Sequence, residues 1–115
     1  MIIRTWKATN LCARDDEYRD AVERTVLPHL AEMPGYLGTL WLRQERGERF
    51  DYVVLTCWDS METVHSFAGE DPSRAWIPEE VLAALEEAGT TSEHFELAYG
   101  HELERLAGAT AEWTI

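Results

Sequence analysis

The stretch Val53–Gly69, "VVLTCWDSMETVHSFAG", changes its hydrophobic period in the middle. Up to Trp58 it is β-branched and apolar, which predicts a strand; from Met61 its apolar residues recur every three or four positions, which predicts an amphipathic helix. The junction "DSME" predicts a capping box, with Asp59 accepting from backbone N–H groups and Glu62 reaching back. Met61, Val64, His65, Phe67 and Ala68 form the expected inward side of that helix, and Gly69 closes it. Tyr52, Val54, Thr56 and Trp58 share one strand parity and point the same way.

Working outward, Tyr36–Gln44 predicts a strand that forms a hairpin with Phe50–Trp58 across the polar "ERGER", where Gly47 supplies a positive φ. Ile2–Ala8 predicts a first strand. Asp15 and Asp16 open a helix whose Tyr18, Val22, Val26, Leu30 and Met33 form one apolar stripe. Pro28 interrupts that helix and predicts a kink or a change of turn. After the loop "EDPSRAWIPEE", Pro78 starts a helix through Glu87 carrying Val81, Leu82 and Leu85, and Ser92–Tyr99 predicts a fourth strand. A short helix, His101–Leu106, and an extended "AEWTI" complete the chain. The order β-α-β-β-α-(α)-β is a ferredoxin-like split βαβ arrangement, an α+β fold in which a four-stranded antiparallel sheet carries helices on one face. Strands such as "YVVLTCW" are apolar on both parities, so the other face needs a cover, and a second copy of the sheet supplies it. The expectation is a homodimer.

Composition narrows the function. The 115 residues suit a single domain. A net charge of −12 repels phosphate backbones and anionic lipid, which argues against nucleic-acid and membrane-surface partners. No apolar run reaches the ~18 residues of a membrane span and the N-terminus lacks a signal-peptide layout, so a cytoplasmic location is expected. Cys12 and Cys57 follow no ligand or disulfide spacing and are expected to be buried free thiols. The four histidines are scattered, so no metal set is indicated, and no glycine-rich phosphate loop occurs.

The segments "RTWKA" (Arg4–Ala8), "LPHLAEMPGYLG" (Leu27–Gly38), "VVLTCWDSME" (Val53–Glu62), "FAGEDPSRA" (Phe67–Ala75) and "EHFELA" (Glu93–Ala98) resemble the antibiotic biosynthesis monooxygenase family. The resemblance runs over residues 1–99, and residues 100–115 read as an extension that packs on the partner subunit, with Trp113 as the pin. It implies a dimeric α+β barrel, and the superfamily spans cofactor-free quinone-forming oxygenases, haem-degrading oxygenases and isomerases. Against the quinone-forming group, Trp58 matches the pocket tryptophan, while the pocket tyrosine falls on Val64 and the pocket asparagine on Val54. Against the haem-degrading group, the helix tryptophan falls on Phe67, the axial histidine near Trp76 and the first-strand asparagine near Trp6. All three signature positions differ, so the expected cofactor is none, with haem as the alternative.

The side chains suited to chemistry follow from this frame. Trp6 and Trp58 are expected to wall a pocket between sheet and helices, with Val54, Val64 and Phe67 lining it and Trp76 as a lid. Arg4, on the parity of Trp6, is either a structural ion pair or an anion anchor, since a guanidinium stabilises a developing oxyanion without titrating. A cofactor-free oxygenase needs a base to make an electron-rich carbanion that reduces O₂. His94 is the first candidate and His65 the second, because imidazole titrates near ~6.5. His29 is expected to be solvated. Three readings remain open: a cofactor-independent monooxygenase on a quinol- or anthrone-like substrate, a cyclase or isomerase using the same base, and a non-catalytic dimeric module binding an aromatic or haem.

Overall fold

A computed structural model describes residues 1–107; the expected tail strand and the Trp113 pin lie outside the described residues. Strand β1 (Ile2–Leu11) passes through a 3₁₀ turn, Cys12–Arg14, into helix α1 (Asp15–Ala21), a wider π turn over Val22–Val26, and α2 (Leu27–Ala31). The hairpin β2 (Tyr36–Arg46) and β3 (Arg49–Trp58) follows, then α3 (Met61–Ala68), α4 (Glu79–Ala84), β4 (Glu87–Ala88), β5 (Glu93–Glu96) and α5 (Leu103–Ala107). The sheet runs β2-β3-β1-β4, with β5 further along the same edge of β1, and each pairing is antiparallel. The expected α+β, ferredoxin-like order is present.

Local chemistry explains where the elements depart from expectation. Pro28 has no N–H for the carbonyl of Arg24, and one residue earlier the ladder has already widened: the N–H of Leu27 reaches back to the carbonyl of Val22. Helix α3 begins one residue later than the capping box required. Ser60 is extended (φ −159°) and its Oγ accepts from Thr63 N–H at 3.4 Å, while Asp59 instead accepts from the Thr63 hydroxyl at 2.9 Å. The helix expected to run from Pro78 to Glu87 stops at Ala84. Asn10, fully buried, accepts from Glu86 N–H at 3.1 Å and draws the chain onto the sheet edge. Gly89 N–H then donates to Lys7 O at 2.8 Å, an approach so close that a Cβ at Gly89 would stand 2.6 Å from that oxygen. The fourth strand is therefore two pieces, and its second is Glu93–Glu96 rather than Ser92–Tyr99. Leu82, expected inward, is exposed, and both cysteines are half-buried rather than buried.

Even-numbered residues of β1 and β3 face the helices, and register brings Ala8 beside Tyr52, Trp6 beside Val54, Arg4 beside Thr56 and Ile2 beside Trp58. Two apolar clusters form on this face. One joins Ala8, Tyr18, Val22, Tyr52 and Val81; the other joins Leu30, Trp58 and Val64. At the start of α1 the buried Asp15 accepts from Tyr52 Oη at 2.5 Å and from Arg43 Nη1 at 3.0 Å, which ties the helix to the sheet. The opposite face carries Ile3, Val53, Leu55, Cys57 and Leu40, all half-buried, with Leu42 and Phe95 exposed at its sides. No helix of the described residues is long and apolar enough to cross a membrane.

Candidate active site

Between the two clusters lies a hollow of about 550 Å³, counting the open space at its mouth. Its floor is the row Trp6–Val54–Trp41, set side by side by strand register. Its roof is the stripe Val22, Val26 and Leu30, and Phe67, Trp76 and Ile77 close the flank. An α turn carries four residues slightly past one revolution and the wider π turn slightly short of one, so the two steps Val22→Val26→Leu30 cancel and all three side chains aim at the same space.

Among the described residues, Arg4 is the only charged one of this lining. It is 4% exposed, and no carboxylate lies within salt-bridge distance of it among the described residues. Its Nη1 donates to Pro72 O at 2.5 Å and to His94 Nε2 at 2.9 Å, and Nη2 donates to Arg74 O at 2.9 Å. The ion pair considered for Arg4 is thus replaced by two backbone carbonyls and an imidazole. Burial pulls the guanidinium below its ordinary value, yet arginine remains protonated in a protein. The result is a fixed cation at the edge of an apolar space, where charge acts more strongly than in water.

Five of the expected pocket residues line this hollow: Arg4, Trp6, Val54, Phe67 and Trp76. The Trp6 indole is fixed by donation to Gly89 O at 2.7 Å. Trp58 and Val64 lie behind the wall, each fully buried. Trp58 donates to Thr56 Oγ1 at 2.9 Å and its ring packs 5.0 Å from that of Phe67, so it backs the flank rather than facing the cavity. His65, expected on the inward side of α3, is exposed, with Nδ1 3.4 Å from Gly69 O. His94 is half-buried and stands behind Arg4, outside the lining. Burial lowers its pKa first, then the charges of Arg4 and His65. His29, expected to be solvated, stacks on Trp76 with centroids 4.6 Å apart.

Tyr18 and Ser92 are among the lining residues that carried no functional expectation. Tyr18 belonged only to an apolar stripe, but its hydroxyl accepts from Trp41 Nε1 at 3.0 Å, and burial pushes its pKa up to about 12. Ser92 gave no sequence signal beyond opening a strand. The described residues hold no group of three or more His, Cys, Asp or Glu placed to bind a metal ion.

A family model described as antibiotic biosynthesis monooxygenase matches residues 13–79. No curated protein sequence matches the chain. Among solved structures, SnoaB from Streptomyces nogalater, a cofactor-independent oxygenase, is 14% identical with a TM-score of 0.59, over 88% of this chain and 97% of its own. MhuD from Mycobacterium tuberculosis, a heme-degrader with two hemes in its active site, is 20% identical with a TM-score of 0.54, over 88% and 99%. At these identities the likeness is one of fold. Among the described residues the lining offers no histidine, cysteine or methionine that could ligate a haem iron, and its one phenol, Tyr18, is held neutral by burial and engaged by Trp41.

Proposed function

Because the chain belongs to the antibiotic biosynthesis monooxygenase family, we propose that it is a cofactor-independent monooxygenase that oxidises a flat, hydroxylated aromatic of the quinol or anthrone kind. The observation that carries this reading is the buried Arg4 cation, free of any carboxylate partner, on the wall of an apolar hollow walled by Trp6, Trp41 and Trp76. An opposite charge within ~4–6 Å lowers the pKa of an acid by about 1–3 units. An aromatic C–H or O–H acid bound beside Arg4 therefore loses its proton more readily, and the electron-rich anion is the species that reacts with O₂. One electron passes to O₂, the substrate radical and superoxide combine at carbon, and the protonated peroxide loses water. A CH₂ group and O₂ thus become a C=O group and H₂O.

In this scheme His94 holds Arg4 in place. Its Nε2 accepts from Arg4, so removing the substrate proton at that nitrogen would require the contact to break. The substrate proton passes to a water molecule at the mouth of the hollow, where Trp76 stacks on His29, and a proton from solvent completes the peroxide. The protein acts as a homodimer whose subunits meet through the apolar outer face of the sheet.

Oxygen consumption with a panel of anthrones and naphthoquinols tests the proposal. Uptake of one O₂ per quinone formed, without added metal, flavin or haem, is the expected result. Proton exchange at the same carbon without O₂ uptake would instead point to an isomerase or cyclase, and binding with neither would leave a ligand-holding module.

A further inference from the structure

The loop that holds Arg4 also holds Ser92. Pro72 O and Arg74 O accept from Arg4, and between them Ser73 O accepts from Ser92 N–H at 2.7 Å. Ala75 N–H donates to Thr90 O at 3.0 Å, and an antiparallel bridge joins Arg74 to Thr91, so the two segments are zipped along the same wall of the hollow. Ser92 lines that wall and is 6% exposed, and its Oγ has no hydrogen-bond partner among the described residues. Buried hydroxyls are almost always paired, because an unpaired one keeps its full desolvation penalty.

A donor count at Arg4 leads to the same place. Of its five N–H groups, Nη1 uses two on Pro72 O and His94, and Nη2 uses one on Arg74 O. The Nε–H and one Nη2 hydrogen have no acceptor among the described residues. Three donors, these two and the Ser92 hydroxyl, thus belong to residues of one wall of a cavity whose lining has no carboxylate among the described residues.

We infer that Arg4 and Ser92 form an oxyanion-binding pair, and that the ligand of this hollow is an aromatic bearing an anionic oxygen, which the pair selects over a neutral analogue of the same shape. The inference rests on the proposed function for the location of the ligand, and extends it by naming the group recognised and the second residue that recognises it. The oxygen belongs either to a phenolate or enolate, or to a carboxylate, which would fork across the two free Arg4 donors.

Calorimetric binding of 2-naphthol, 2-naphthoate and 2-methoxynaphthalene to the full chain tests this. At least one of the first two should bind tenfold or more tightly than the neutral ether. Preference for naphthol, with its ionisation shifted to lower pH on binding, assigns the phenolate source; preference for naphthoate assigns the carboxylate source. Ser92→Ala should weaken the preferred anion about fivefold to tenfold, leave the ether within twofold, and keep or raise the melting temperature, because an unpaired hydroxyl is being removed. Ser92→Thr, which retains the hydroxyl, should retain the preference, and Arg4→Gln should abolish it. Equal binding of all three probes, no binding of any, or equal weakening of anion and ether by Ser92→Ala would overturn the inference. Anion preference without O₂ uptake would sink the oxygenase reading alone, and O₂ uptake without anion preference would sink this one alone.

Discussion

Arg4 and His94 meet head to head, with Nη1 of the guanidinium 2.9 Å from Nε2 of the imidazole. Arginine can only donate, so His94 must accept, and the ring is neutral with its proton on Nδ1. Strand pairing enforces the contact, since Arg4 and His94 are register partners across β1 and β5.

This contact makes the protein sensitive to acid. His94 titrates below its ordinary 6.5, through burial and then the charges of Arg4 and His65. A lowered folded-state pKa means that the unfolded chain binds the proton first. The stabilisation is complete above 6.5 and is lost as the pH falls through the folded-state value. The slope is at most about 1.4 kcal/mol per pH unit. His94→Gln keeps an acceptor but does not titrate, so urea midpoints at pH 7.5 and 5.5 should lie closer together than in the wild type. The same variant should keep O₂ uptake within tenfold. A loss of a hundredfold or more would mean that His94 itself takes the substrate proton.

Trp76 should act on ligand retention more than on stability. It is 37% exposed and stacks on His29, with the Phe67 ring 5.2 Å away. Aromatic pairs of this kind contribute about 0.5–1.5 kcal/mol beyond the area they bury. Trp76→Ala should therefore cost about 1 kcal/mol in denaturant unfolding. It should also speed dissociation of a bound naphthalene probe about tenfold, as read by stopped-flow fluorescence.

Gly89 is where the sheet edge and the pocket floor meet. A Cβ there would stand 2.6 Å from Lys7 O and 3.5 Å from Trp6 Nε1. Gly89→Ala must push β4 away from β1 and loosen the Trp6 indole, so about 1–3 kcal/mol of stability should be lost, as for other overpacked sites. Trp6 emission should shift while the far-ultraviolet circular dichroism stays unchanged.

The outer face of the sheet should set the oligomeric state. Leu55 lies at its middle, with Thr5 on one side and Leu40 on the other by strand register. Light scattering of the wild type should give twice the 13.2 kDa chain mass. Leu55→Glu, which places a charge in that apolar patch, should give the chain mass alone at micromolar concentration.

Parity was the most legible feature of the sequence. Period-two alternation was sufficient to turn Arg4, Trp6, Val54 and Trp58 to one face, because a strand offers only two directions. Depth along that face was not legible. Trp58 ends β3 beneath Leu30 and Val64, while Val54, four residues earlier, borders open space. Nothing in an alternating pattern separates a side chain under a helix from one beside a gap. His65 misled for a related reason: it lies next to Val64, the buried residue of α3, and one step around so short a helix turns a side chain to solvent. The split of the fourth strand depends on Asn10 bonding Glu86 across the fold, and Ser92 is a lone serine whose interest lies wholly in the bonds it does not make.

The π turn over Val22–Val26 has an evolutionary consequence. Four residues of the π turn cover about 330° and three residues of an α-helix cover about 300°, so deleting one position between Val22 and Val26 would regularise the helix and turn everything after it by only about 30°. Winding the same residues as a regular α-helix without a deletion would instead add about 70° and rotate the ceiling of the cavity away. A lineage built on this scaffold can therefore shed that extra residue and keep its reaction chamber, whereas straightening the turn at constant length would dismantle it.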